Sequence, residues 1–339
     1  MIFFQKDIFL ENGLSEESLT YQKYHSDFRN RRKGKNMNKL KLFDYELKGS
    51  IHTIELKTKN ELAEVLDDKV KKCIKRIEIC DNQNKIVLNL NRYEEELYTF
   101  TDFLRVFLIV MEALNIKSYT ITRVDFRLDS FDDDHYQLFA KLNKYIISLF
   151  ATTYSVRNAY KTVKLFSEKQ LSVAVKNKYF EVENYDKNEE SMGIDKAKSR
   201  LELRSKGMDL CNVLALPDAL MDSWDLRISK LLENTFNTHD KYNRALADVY
   251  LEHKDKRPLR FRDVTDFVMQ KQDSFFMKSQ LIKFIEMVDP NVNAKRKAEN
   301  YKARYGIEYF QKRDLVYALE TIKGEMCSYF AYSDLSEIN

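Results

Sequence analysis

"YTITRVDFRLDS", residues 119–130, reads as a β-strand with two unlike faces. Val124, Phe126 and Leu128 fall on one side of an extended chain, and Arg123, Asp125, Arg127 and Asp129 on the other. The same design recurs twice. In "KYFEVENYDKNEES" (178–191), Phe180 and Val182 oppose Tyr179, Glu181, Glu183, Tyr185 and Lys187. In "SRLELRS" (199–205), Leu201 and Leu203 oppose Arg200, Glu202 and Arg204. Three such strands predict an antiparallel sheet covered by helices on its oily face, with charge on its reverse.

The neighbouring sequence extends this α+β pattern. "SIHTIEL" (50–56) and "KIVLNLN" (85–91) alternate with period two, and a helical stretch is expected around 60–73. "YTFTDFLRVFLIVMEAL" (98–114) spaces Phe103, Phe107, Val110 and Leu114 as a covering helix, and 134–150 reads as a second. Shorter strands are expected at 161–166, 171–175, 179–185 and 199–204. After Gly207 and Pro217 the texture becomes helical, with stripes at Leu220, Trp224, Ile228 and Leu231, at Phe261, Val264, Phe267 and Val268, at Leu281, Phe284, Ile285 and Val288, and at Leu315, Leu319 and Ile322. The expected organisation is a basic arm over 1–45, a nuclease-like unit over 46–207 and an all-α unit over 208–339.

Composition sets the class. With 44% hydrophobic and 13% aromatic residues, the 339-residue chain can fill a core, and 7 Gly with 3 Pro favour long elements. A net charge of +4 does not by itself declare a nucleic-acid binder, so the distribution of charge matters more. Residues 28–41 hold Arg29, Arg31, Arg32, Lys33, Lys35, Lys39 and Lys41; this arm is either a solvated leader or a polyanion contact. Residues 293–306 add Lys295, Arg296, Lys297, Lys302 and Arg304 beside Tyr301 and Tyr305, a second candidate surface for DNA phosphates.

Cys73, Cys80, Cys211 and Cys327 form no CxxC pair, which favours reduced thiols over a zinc site or a disulfide framework. The apolar run 103–114 is interrupted by Arg105 and Glu112 and falls short of a membrane span, and the first residues lack the pattern of a signal peptide. The expectation is a soluble cytoplasmic protein without a membrane partner. No GxxxxGK[ST] or GxGxxG occurs, so no nucleotide cofactor is expected.

The charged faces have two readings. One is the ordinary hydrated side of an antiparallel sheet. The other is a site, because the three strands together gather Asp125, Asp129, Glu202, Lys187 and two tyrosines. Carboxylates from separate strands suit a hard divalent cation, Mg²⁺ or Mn²⁺, able to polarise a phosphodiester. A nearby tyrosine suits covalent attack on phosphorus, and a lysine suits stabilisation of the charge that develops.

The order "ITRVDFRLD" (121–129), "YFEVENYDKNEE" (179–190) and "SRLELRSK" (199–206) resembles the replication-initiation-factor family of rolling-circle plasmid initiators and related relaxases of integrative elements. That family carries an R-[IL]-D-x-x-x-D strand, a Y-x-K strand and an R-x-E-x-x-x-K strand; the likeness spans roughly 45–206. The resemblance implies an antiparallel nuclease fold of the HUH type, related in layout to an RNA-recognition motif. It implies Tyr185 as nucleophile with Lys187 and Arg200 beside it, and Asp125, Glu202 and Asp129 as metal ligands. Tyr179 is the reserve nucleophile. The implied activity is nicking and rejoining of origin DNA, single-stranded or extruded as a hairpin, through a 5′-phosphotyrosine that leaves a 3′-hydroxyl primer. A homodimer and a host helicase are the further partners implied.

The chain departs from the family in lacking a His-x-His pair, in placing Glu183 and Asn184 before Tyr185, and in reading Y-D-K. A conjugative relaxase, a catalytically degenerate DNA-binding member, a sheet that binds DNA or RNA without chemistry, and a hydrolytic nuclease are the rival readings.

Overall fold

The computed structural model describes residues 47–80, 82–94, 97–132, 136–154, 172–176, 178–233, 235–254, 263–307 and 309–331. Among them, seven strands form one antiparallel sheet: β1 (Leu47–Thr58), β2 (Ile74–Cys80), β3 (Gln83–Leu88), β4 (Thr120–Ser130), β5 (Ser172–Lys176), β6 (Phe180–Asp186) and β7 (Ser199–Leu210). Their order is β2-β3-β1-β4-β7-β6-β5. The strand quoted at the outset, β4, lies at the middle between β1 and β7. The expected strand at 161–166 and the basic arm with Arg29, Arg31, Arg32 and Lys33 lie outside the described residues.

The helices are α1 (Asp68–Cys73), α2 (Phe100–Ala113), α3 (Tyr136–Tyr154), α4 (Lys187–Glu190), α5 (Leu216–Glu233), α6 (Thr235–His253), α7 (Val264–Gln270), α8 (Lys278–Val288), α9 (Ala294–Tyr305) and α10 (Lys312–Phe330). Alternation decides which side of the sheet they cover. Val124, Phe126, Leu128, Leu201, Leu203, Phe180 and Val182 are all buried on that side, each worth roughly 2 kcal/mol when removed from water. α2 begins at Thr99, whose hydroxyl oxygen accepts the Asp102 N–H at 3.1 Å. Its Phe100, Phe103 and Phe107 form a stacked row against the core.

The C-terminal half does not stand apart from the sheet. β7 runs to Leu210. In α5, Trp224 meets Phe150 of α3, and Arg227 lies over the Phe180 ring at 3.7 Å. In α10, Tyr329 and Phe330 pack on Phe126, with ring centroids 5.6 and 6.0 Å away. Gly49 makes this closeness possible: a Cβ there would stand 2.6 Å from Phe126 Cζ.

Two local departures from the sequence pattern matter. The helix expected around 60–73 shortens to α1, and residues 74–80 form an edge strand paired with β3. In β1, a register shift between Ile51 and Thr53 opposite β4 inserts His52 as a bulge. Ile51 thereby stays in the core, while Thr53 lies across from Asp125 on the charged side.

Candidate functional site

Of the expected site residues, Asp125, Asp129, Arg200, Glu202 and Tyr185 stand on β4, β7 and β6, three adjacent strands. Across the ladder Asp125 faces Arg204, Arg127 faces Glu202, Asp129 faces Arg200, and Arg200 faces Tyr185 on its other side. Opposite charges directly across a pair of strands attract. Two like-charged pairs break the pattern on these strands, Glu183 opposite Glu202 and Arg123 opposite Lys206.

Glu202 is the hub. The Tyr185 hydroxyl donates to its Oε1 at 2.7 Å, and Arg204 donates to its Oε2 from Nη2 at 2.6 Å and from Nε at 3.2 Å. The His52 ring stands beside it, Nδ1 3.5 Å from Oε1. Burial alone would push the Glu202 carboxyl up, but His52, Arg204 and the hydrogen bonds from Tyr185 and Arg204 hold it down to about 2. It is an ionised acceptor at neutral pH. Burial and the Glu202 charge together push the Tyr185 phenol well above its ordinary value. The resting pair is thus phenol and carboxylate.

Side-chain hydrogen bonds on the reverse of β6 hold the strand that bears the tyrosine. Asn184, the preceding residue, points to the helical side and is 1% exposed. Its Oδ1 accepts from Asn143 of α3 and from Ser199 of β7, both at 3.3 Å. A buried amide with these partners pins β6 to the helix behind it.

The remaining expected residues take different positions. Asp129 receives two hydrogen bonds from Arg200, at 2.6 and 2.8 Å, and this pair is almost wholly buried. Asp125 receives two from Arg123, at 2.7 and 2.6 Å. Burial raises the Asp125 pKa, with Arg123 opposing. Lys187 opens α4 and pairs with Glu190, with Asp195 at 3.8 Å and the Tyr185 ring centroid at 5.9 Å. Tyr179 precedes β6 and rests against Gly207, 56% exposed. Six residues of extended chain separate it from Tyr185, roughly 20 Å at the usual strand rise, so it does not share the Glu202 centre. Lys295 and Arg296 are exposed on α9, while Lys297 pairs with Asp289 at 3.3 Å.

Three contributors were not anticipated as site residues: His52, Lys75 and Arg204. Lys75 donates to Thr53 Oγ1 at 3.1 Å, and burial lowers its pKa. Arg204 sits among four carboxylates, 2.6 Å from each of Glu181, Glu183 and Glu202 and 3.7 Å from Asp125. Its place on the Glu202 face was legible from alternation; its role as the shared partner was not.

A divalent cation needs several oxygen donors converging at about 2.0–2.6 Å. Among the described residues, no group of three or more His, Cys, Asp or Glu side chains is arranged to hold one. The expected ligands are committed elsewhere, Asp125 to Arg123, Asp129 to Arg200, and Glu202 to Tyr185 and Arg204. As arranged here, they do not form a cation cage.

No protein-family model matches the chain, and no curated protein matches it. A solved structure to which it is similar is the rolling circle replication initiator protein from Geobacillus stearothermophilus, with a TM-score of 0.25 and 11% identity. That match covers 48% of this chain and 75% of the other. Likeness at that level says nothing about chemistry. No helix of the described residues is long and apolar enough to cross a membrane.

Proposed function

We propose that the charged face is a DNA strand-transfer site in which Tyr185 attacks a phosphodiester and Glu202 receives its proton. The observation that carries this reading is the 2.7 Å hydrogen bond from the Tyr185 hydroxyl to the Glu202 carboxylate. A phenol with a raised pKa is a poor nucleophile until its proton leaves; as the Oη–phosphorus bond forms the phenol becomes acidic, and the proton passes to the Glu202 oxygen already in contact. The Tyr185 Oη–phosphorus bond forms and the phosphorus–O3′ bond breaks. The phosphate stays on the tyrosine with the 5′ end, and the departing 3′ oxygen takes a proton from solvent. Reversal by a 3′-hydroxyl rejoins the strand, since the phosphotyrosine conserves the bond.

Arg200 lies across from Tyr185 and Arg204 beside Glu202, so two guanidinium groups border the place where the phosphate charge would develop. A Mg²⁺ or Mn²⁺ ion, where bound, would supply Lewis-acid polarisation of the phosphate. The biological setting in this reading is initiation of rolling-circle replication at an origin, with transfer of a mobile element as the alternative.

A second reading is favoured by the pairing of Asp125, Asp129 and Glu202 with arginine: a DNA-binding sheet without turnover. Incubation with single-stranded oligonucleotides and Mn²⁺, followed by SDS electrophoresis, separates the two. A denaturant-resistant protein–DNA adduct supports strand transfer. Binding without adduct supports the second reading and overturns the first.

A further inference from the structure

The helical half contains an arrangement that the sheet chemistry does not use. α7 is followed by the extended residues 275–277, by α8, by the turn 289–293 and by α9. Gly306 ends α9 in the left-handed region, φ 64°, and its N–H closes on the Lys302 carbonyl at 3.0 Å. The chain then returns so that the Phe310 N–H bonds the Phe276 carbonyl at 2.6 Å. These three helices and the bridged return make one locally closed helical segment.

Burial fixes how α9 sits in it. Ala294, Ala298 and Tyr301 are buried, and Tyr301 is tied to α7 by a 3.0 Å hydrogen bond with Thr265. At about 100° per residue, the opposite face is centred on Arg296 and Ala303, flanked by Glu299 and Asn300, all exposed. Lys295 and Lys302 are exposed along one border of that face, and Arg304 along the other. Glu299, the acid on this face, pairs with Lys278 at the start of α8.

We infer that α9 is a recognition helix that enters the major groove of duplex DNA. Arg296 and Asn300, one helical turn apart, carry the donors and acceptors that read guanine and adenine edges. Ala303 is small enough to let the helix approach the groove floor. Lys295, Lys302 and Arg304 stand where the two flanking phosphate backbones would run. This inference does not depend on tyrosine chemistry: α9 would hold a duplex sequence, whereas the Tyr185 face would act on a strand.

The test uses the full chain carrying Tyr185→Phe, so that any binding is non-covalent, and a pool of duplexes with a randomised core. Repeated selection is expected to enrich one sequence. On the enriched duplex, Arg296→Ala with Asn300→Ala should lose about 10- to 100-fold of its preference over a scrambled duplex. Binding to the scrambled duplex should change by less than about threefold. Lys295→Ala with Lys302→Ala should weaken both duplexes alike and flatten the slope of log affinity against log salt by about two. These positions are exposed and alanine favours helix, and unchanged melting confirms the variants are folded. Enrichment of no sequence, or full discrimination by the Arg296 and Asn300 variant, overturns the inference. Adduct formation by the unmodified chain on single strands is read separately, so failure here is distinct from failure of the strand-transfer reading.

Discussion

Arg200 grips both oxygens of Asp129 on one neighbouring strand and lies directly across the ladder from Tyr185 on the other. One buried guanidinium thus joins the carboxylate of the first motif to the phenol of the second. In this arrangement Asp129 is the buried counter-ion of Arg200. Asp129→Ala leaves the Arg200 charge without its buried partner, and the expected loss is about 3–5 kcal/mol. Urea unfolding measures it; a loss below about 1 kcal/mol would mean the pair contributes little.

Tyr185→Phe is expected to abolish the covalent adduct while leaving DNA affinity within a few-fold. Glu202→Gln keeps the shape but not the ionised acceptor, and adduct formation should slow by about 10²–10⁴-fold. Single-turnover gel assays read both. A Tyr185→Phe variant that still forms the adduct would move the nucleophile elsewhere.

Arg204 is the partner shared by Glu181, Glu183, Glu202 and Asp125. Arg204→Ala leaves those carboxylates facing one another, and burial together with Glu202 already raises the Glu183 pKa. The variant is expected to melt lower in EDTA and to recover in Mn²⁺ by more than the unmodified protein gains. Thermal melts across a Mn²⁺ titration check this. An identical response in both proteins argues against a cation position at Arg204.

His52 links acidity to stability. Burial, reinforced by Lys75, Arg127 and Arg200 and opposed by Glu202, lowers its pKa from 6.5 to about 2. Between those values the unfolded chain binds a proton that the folded chain does not, so stability falls as pH drops below 6.5. The slope from this group is at most about 1.4 kcal/mol per pH unit. Glu202, lowered from 4.5 to about 2, acts in a lower window: its contribution is present above 4.5 and is lost towards 2. His52→Gln should therefore flatten the loss of stability between about pH 6.5 and pH 5, read from urea midpoints.

Much of the sheet was legible because alternation is a local property. Val124, Phe126 and Leu128 declared one face of β4 and Asp125 the other, and the same rule put Glu202 and Tyr185 on the charged faces of their strands. β2 escaped because "KRIE" within it carries charge at both parities and the strand lies at an edge. His52 escaped for a geometric reason. Its even number places it with Ile54 and Leu56, and the bulge alone turns it towards Glu202. The pairing of Asp129 with Arg200 and of Arg204 with four acids depends on register between distant strands, which no local pattern contains. The docking of α10 on Phe126 is equally non-local.

That docking has a consequence for synthesis. Tyr329 and Phe330 close over the strand that bears Asp125, and α10 also lies on β1, a strand made about 250 residues earlier. In a nascent chain the patch of β1 and β4 that α10 covers stays open until that helix has been made, although α2 and α3 are already in place beside it. Until then that apolar patch is open to wrong partners, and a chain cut before α10 should unfold more readily than the uncut one.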